Sequence, residues 1–133
     1  MDEVLQFLTE NRSGYLATVD AEGKPHVRVI GLNFIDGKKL YYALSTQKGM
    51  YEQIRQNPHV ELAVSKPDFS KVVRITGQAH IDDRMEIKQK LFSNSPSLKF
   101  LYQSPDNLIF TAMYIEPKSA RIWSFTEDRT LQL

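Results

Sequence analysis

Val73-Arg-Ile-Thr-Gly-Gln-Ala-His-Ile81 alternates without a break: Val73, Ile75, Gly77, Ala79 and Ile81 fall on one side, and Arg74, Thr76, Gln78 and His80 on the other. A period of two is the signature of a strand with one face packed and one face polar. Working outward, the same kind of extended run recurs along the chain. Toward the N-terminus lie Val60–Val64, Lys39–Ser45, His26–Ile35 and Gly14–Asp20; toward the C-terminus lie Leu108–Ile115 and Ala120–Phe125. The connections carry turn chemistry: Gly23 and Pro25 after Ala21, Asp36-Gly37 as a hairpin signal, and Glu116-Pro117-Lys118 between the last two runs. Six to seven short, mostly antiparallel strands on one small core close into a barrel or stack as a sandwich.

Helical periodicity interrupts the strands briefly. Asp2 is placed to cap a helix carrying Val4, Leu5 and Leu8 and ending near Asn11. Met50, Tyr51 and Ile54 share one helix face, and Asn57-Pro58 stops it. Asp83 with Glu86 has the spacing of a capping box for a helix through Phe92, followed by a polar loop or short helix over 93–103. The polar segment 126–133 is expected to fray or to contact a partner. The run from His26 to Phe34 is apolar on both faces, so its outer side needs cover, and a dimer is the economical source of it.

At 133 residues the chain is read as one domain, 1–133. There is no cysteine, which excludes disulfides, thiolate metal sites and a thiol nucleophile. Seventeen basic against sixteen acidic residues leave a formal charge of +1, without the basic excess of a nucleic-acid binder. No apolar run reaches membrane-spanning length, and no signal-peptide pattern opens the chain. A cytoplasmic, soluble protein with a small-molecule ligand is expected.

The stretch most suggestive of a site is Tyr41-Tyr-Ala-Leu-Ser-Thr-Gln-Lys-Gly-Met-Tyr51, where a strand ends just before a helix begins. Helix N-termini offer free amides and partial positive charge, so Ser45, Thr46 and Lys48 there could hold an anion such as phosphate. The alternative is that Thr46 merely caps the helix while Lys48 points to solvent. Arg28, on a strand face with Ile30 and Leu32, has the planar fork that grips phosphate. It could equally be a rim arginine paired with a carboxylate such as Glu22. His26, His59 and His80 have no metal-ligand spacing, and no nucleophile or acid–base motif is present.

Taken in order, Gly14-Tyr-Leu-Ala-Thr-Val19, Gly23-Lys-Pro-His-Val-Arg28, Leu40-Tyr-Tyr-Ala-Leu-Ser-Thr46, Gln53-Ile-Arg-Gln-Asn-Pro-His-Val-Glu-Leu62 and Val73-Arg-Ile-Thr-Gly-Gln-Ala79 resemble the pyridoxamine 5′-phosphate oxidase-like family. The resemblance implies a mainly β fold, the FMN-binding split barrel, in a homodimer with flavin at its interface. It assigns Arg28 to the FMN phosphate, with Val29 and Ile30 beside the flavin. Tyr42, Ala43, Leu44 and Ser45 match the strand lining the ring and ribityl chain, and Thr46 and Lys48 match the phosphate turn, where Gln47 could replace either. Arg74, Thr76 and Gln78 would reach the flavin from the second subunit, Arg74 near its N1/C2 edge, and Trp123 would approach the isoalloxazine. Beside this stand plainer readings: a solvated sheet face for Arg74, Thr76 and Gln78, and simple packing for Trp123.

Family members include true oxidases, flavin and nitro-group reductases, haem-degrading relatives and F420-dependent proteins. The C-terminus offers Arg129 but no basic pattern for a pyridoxamine phosphate substrate, and the balanced charge favours FMN over F420. The expected function is an FMN-dependent oxidoreductase passing electrons from a reduced nicotinamide to a small acceptor. The alternative is a non-catalytic flavin- or haem-binding sensor or carrier.

Overall fold

The computed structural model describes residues 1–133 as eight strands and four helices. In chain order these are α1 (Asp2–Glu10), β1 (Ser13–Val19), β2 (Pro25–Gly31), β3 (Phe34–Asp36), β4 (Lys39–Ser45), α2 (Gly49–Gln56), β5 (His59–Ser65), β6 (Lys71–Asp82), α3 (Met85–Asn94), α4 (Leu98–Tyr102), β7 (Phe110–Ser124) and β8 (Asp128–Gln132). All strand pairs are antiparallel, and the sheet runs β2-β1-β5-β6-β7-β4-β3, with β8 added beside β7. The mainly β barrel expected from the alternating runs is therefore what forms.

The two ends of that order, β2 and β3, are consecutive in sequence. The run 26–35, expected as one strand, breaks at Leu32-Asn33. The Leu32 amide donates to the Arg12 carbonyl at 2.8 Å and the Asn33 amide to the Tyr41 carbonyl at 2.9 Å. Each residue thus bonds to a different edge of the sheet. The barrel is closed there by chain rather than by a ladder, so β2 and β4 face one another across a gap.

Two apolar clusters fill the fold. The larger packs α1 and α2 against the sheet through Val4, Leu8, Leu16, Met50, Ile54, Leu62 and Ile75. The smaller lies beneath α3 and α4 around Tyr41, Leu91, Leu98 and Phe110. On β6 the predicted alternation holds as far as Gly77 and then fades: Val73, Ile75, Gly77 and Ala79 are buried and Arg74 and Thr76 exposed, whereas Gln78, His80 and Ile81 are all half-buried. Gly77 is needed for close approach, since a Cβ there would lie 2.5 Å from the Glu116 carbonyl oxygen.

Several local expectations change. The two last strands merge into β7, because the register with β6 shifts between Thr76 and Gly77 and leaves Lys118 as the extra residue of a bulge. Pro117 is tolerated at such an irregularity. The 126–133 segment does not fray: β8 pairs with β7, and Asp128 accepts two bonds from Arg121, at 2.8 and 2.7 Å. Asp2 lies inside α1, whose N-cap is Met1, so it acts on the helix dipole rather than as a cap. The capping box also fails: α3 starts after Arg84, and Asp83 instead pairs with Lys88 and accepts from Thr111. Thr46 does not cap α2, whose N-cap is Lys48.

At the root of α3, the Tyr41 hydroxyl donates to Asp82 at 2.9 Å, and Arg84 donates to both Asp82 oxygens. Arg84 holds the Asp82 carboxyl below its usual range, while burial and then Asp82 push the Tyr41 phenol up to about 12. A raised tyrosine contributes its stability below the unfolded value near 10 and loses it as pH climbs through the folded one. Tyr41→Phe is expected to cost about 1.5–3 kcal/mol at pH 7, the range for a bond to a charged acceptor. Between pH 10 and 12 the wild type should lose stability that the variant does not. Urea unfolding across pH checks both.

Candidate functional site

The gap between β2 and β4 opens into a cleft of about 1130 Å³, roofed by α2 on one side and α3–α4 on the other. Its walls place together eight of the residues singled out from sequence: Arg28, Val29 and Ile30 on β2, Tyr42, Ala43, Leu44 and Ser45 on β4, and Lys48 at the N-terminus of α2. The three fixed cations of the lining are Arg12, Arg28 and Lys48; no aspartate or glutamate lines it. In a chain of nearly balanced charge this is a segregated positive site.

Arg28 has no carboxylate partner. Its Nη1 donates to the Thr18 hydroxyl at 2.7 Å and its Nη2 to the Gln53 amide oxygen at 2.9 Å, with longer bonds to the Leu16 and His26 carbonyls. The rim pairing with Glu22 therefore does not occur. Burial lowers the Arg28 pKa from its ordinary value, but a guanidinium stays charged near neutrality. A half-buried cation satisfied only by neutral groups retains its unscreened charge for a ligand.

Thr18 and Gln53 are functional residues that the sequence reading missed. The Thr18 hydroxyl is buried and donates to the Gln53 oxygen at 2.6 Å, so that oxygen accepts from both Thr18 and Arg28. Its amide nitrogen is thereby left to donate elsewhere, and Gln53 lines the cleft. The available signal was helical spacing: Gly49, Met50 and Gln53 share the face of α2 that turns to the cleft. The first amides of α2 have no intrahelical partner and add partial positive charge beside Lys48. At the rim, His26 bonds Asp20 at 2.8 Å, which with the Lys24 and Glu22 amides holds the Asp20 carboxyl low.

The apolar part of the cleft comes from Ile30, Leu44, Met50 and Leu98, with Tyr42 buried behind them. Burial raises the Tyr42 phenol, which keeps it neutral. Five residues of the expected set lie outside the cleft in the single chain. The Thr46 amide donates to the Ile109 carbonyl at 2.8 Å, tying the turn down. Arg74, Thr76 and Gln78 project from β6, Arg74 pairing with Glu61 at 3.0 Å, and Trp123 packs edge-to-face on Phe125. Arg74 and Trp123 instead share a small depression of about 250 Å³ with Val72 and Arg121.

Residues 1–124 match the family model described as pyridoxamine 5′-phosphate oxidase, and the chain belongs to that family. General stress protein 26 of Bacillus subtilis (strain 168) is 31% identical over 134 residues, which cover 98% of this chain and 93% of that protein. The structure of a NimC/NimA family protein from Clostridium acetobutylicum superposes with a TM-score of 0.86 at 35% identity, covering 100% of this chain and 93% of the other. A pyridoxamine 5′-phosphate oxidase-related, FMN-binding protein from Nostoc punctiforme PCC 73102 shares the fold, with a TM-score of 0.74 at 18% identity over 99% of this chain and 95% of its own. The fold is thus the split barrel that the resemblance implied.

Gln53→Leu should strand the buried Thr18 hydroxyl and free Arg28. A loss of about 1–3 kcal/mol in urea unfolding is expected, the cost of an unsatisfied buried donor. Gln53→Glu, which keeps the acceptor, should lose less.

Proposed function

We propose that the cleft binds FMN non-covalently and that the protein is an oxidoreductase, carrying electrons from a reduced nicotinamide to a small acceptor. The observation that supports this reading most is an acid-free cleft that sets Arg28 and Lys48 beside the apolar side chains of Ile30, Leu44, Met50 and Leu98. Arg28 and Lys48, with Gln53 and the first amides of α2, suit a phosphate dianion. Between them and the α3–α4 wall, β2 and β4 offer the kind of apolar surface against which an extended ring system can lie. The residues present fit the cofactor, and the FMN-binding description of the Nostoc neighbour agrees with it.

When bound, FMN supplies the redox chemistry; the chain supplies binding, orientation and electrostatics. Arg28 is held in place before any ligand arrives, because Thr18 and Gln53 fix two of its nitrogens. Lys48 adds a second charge without needing to be buried. Leu44, Ile30 and Leu98 give the wall an apolar surface, and a ligand seated against it would displace water and strengthen the electrostatic contacts beside it.

The same reading includes a homodimer. Tyr15, Val27 and Val29, exposed at 57%, 65% and 63%, meet in register on the outward face of β1 and β2. A contiguous apolar face of this kind marks an interaction surface. In such a dimer Arg74, Thr76, Gln78 and Trp123 would serve the partner's cleft rather than their own.

Flavin fluorescence titration tests the site directly. Arg28→Ala and Lys48→Ala should each weaken FMN binding by about 1.5–3 kcal/mol, roughly tenfold to more than a hundredfold. Riboflavin, which lacks the phosphate, should bind wild type and variants alike. Unchanged FMN affinity in the double variant would remove the assignment. Anaerobic mixing with NADH or NADPH tests turnover: reduction by dithionite alone would leave a flavin binder and not an oxidoreductase.

A further inference from the structure

One cation of the cleft is not used by that reading, on which the following rests. FMN brings a single phosphate, and Arg28 with Lys48 matches its charge. Arg12 is left over. It precedes β1, and its Nη1 donates to the Leu32 and Asn33 carbonyls at 3.4 and 3.0 Å. It forms no ion pair, so its remaining N–H groups are free of any carboxylate. Leu32 lies four residues beyond Arg28, about 13 Å along an extended chain, so the two guanidinium groups serve opposite ends of the cleft.

The surroundings of Arg12 are fixed and neutral. The Asn33 amide donates to the Leu91 carbonyl at 3.2 Å, and the Asn94 amide donates to the Asn33 side-chain oxygen at 3.2 Å. These bonds lock the link between β2 and β3 onto the end of α3. Ser95 adds a hydroxyl, and Leu98, whose amide donates to the Ser95 carbonyl at 3.1 Å, adds an apolar side chain.

We propose that Arg12, with the Asn33–Asn94–Ser95 wall, is a second anion subsite that receives the carboxylate of a small aromatic acid. The planar guanidinium fork matches a carboxylate in two parallel bonds, and Leu98 offers the ring an apolar surface. Selection is then by charge: the neutral amide of the same acid leaves Arg12 unmatched.

Benzoate and benzamide are the probes, titrated calorimetrically into the protein as purified and into the protein saturated with FMN. Benzoate should bind in both states, at least tenfold more tightly than benzamide. Arg12→Met should lower benzoate affinity at least tenfold and leave FMN affinity unchanged. Arg12→Gln, which keeps a donor to the Leu32 and Asn33 carbonyls, should show the same loss with wild-type thermal stability. Benzoate that fails to bind, binds Arg12→Gln as well as wild type, or competes with FMN overturns the subsite. So does a fall in FMN affinity in the Arg12 variants, which would make Arg12 a cofactor contact. Arg12-dependent benzoate binding in a protein that never retains FMN would uphold the subsite while defeating the flavin reading.

Discussion

The two-residue link Leu32-Asn33 sets the character of the molecule. A barrel whose first and last strands paired would have no room between them, because a ladder holds strands about 4.8 Å apart. Here the chain crosses from the β1–β2 end of the sheet to the β3–β4 end in two residues, each bonded to a different side. The edges are tied but not zipped. The open edge of β2 and the part of β4 beyond its pairing with β3 become walls, and α2 and α3–α4 roof what lies between them. Asn33 sits on the link itself and Arg12 donates to the link's two carbonyls, so the feature that opens the cleft also furnishes its far end.

Charge in the cleft follows from how its cations are satisfied. Elsewhere on the molecule, arginines meet carboxylates: Arg74 with Glu61, Arg84 with Asp82, Arg121 with Asp128, and Arg129 with Glu3 and Glu127. Arg12 and Arg28 meet only carbonyls, a hydroxyl and an amide. Neutral acceptors orient a guanidinium without cancelling it, so the field reaches a ligand intact. The Thr18–Gln53 pair does this for Arg28, joining β1 and α2 behind it.

Much of the architecture was legible because its signals are local. The alternation on β6, the Asp36-Gly37 turn, the Asn57-Pro58 stop and the Met50–Ile54 spacing each depend on residues within a few positions of one another. The misreadings came where a distant partner decided. Glu116-Pro117-Lys118 reads as a turn in isolation, but the register opposite Gly77 makes it a bulge inside one strand. The polar tail becomes β8 because Arg121 and the edge of β7 await it. Asp83 has capping-box spacing, yet Lys88 and Thr111 claim its carboxylate.

By itself the sequence determined a cysteine-free, mainly β chain of near-neutral charge. It also offered the strand-to-helix turn and Arg28 as candidate anion-binding elements, which the family resemblance joined. Those conclusions rest on periodicity, composition and a helix start, all written within short stretches. Only the tertiary structure decided that Arg28 lacks a carboxylate, that Gln53 and Thr18 hold it, and that Arg12 shares its cleft. The partners in those contacts lie 25, 10 and more residues away, across antiparallel pairings whose register the whole sheet sets. Whether a cation is spent internally or left for a ligand depends on what the fold brings beside it, and no local pattern encodes that.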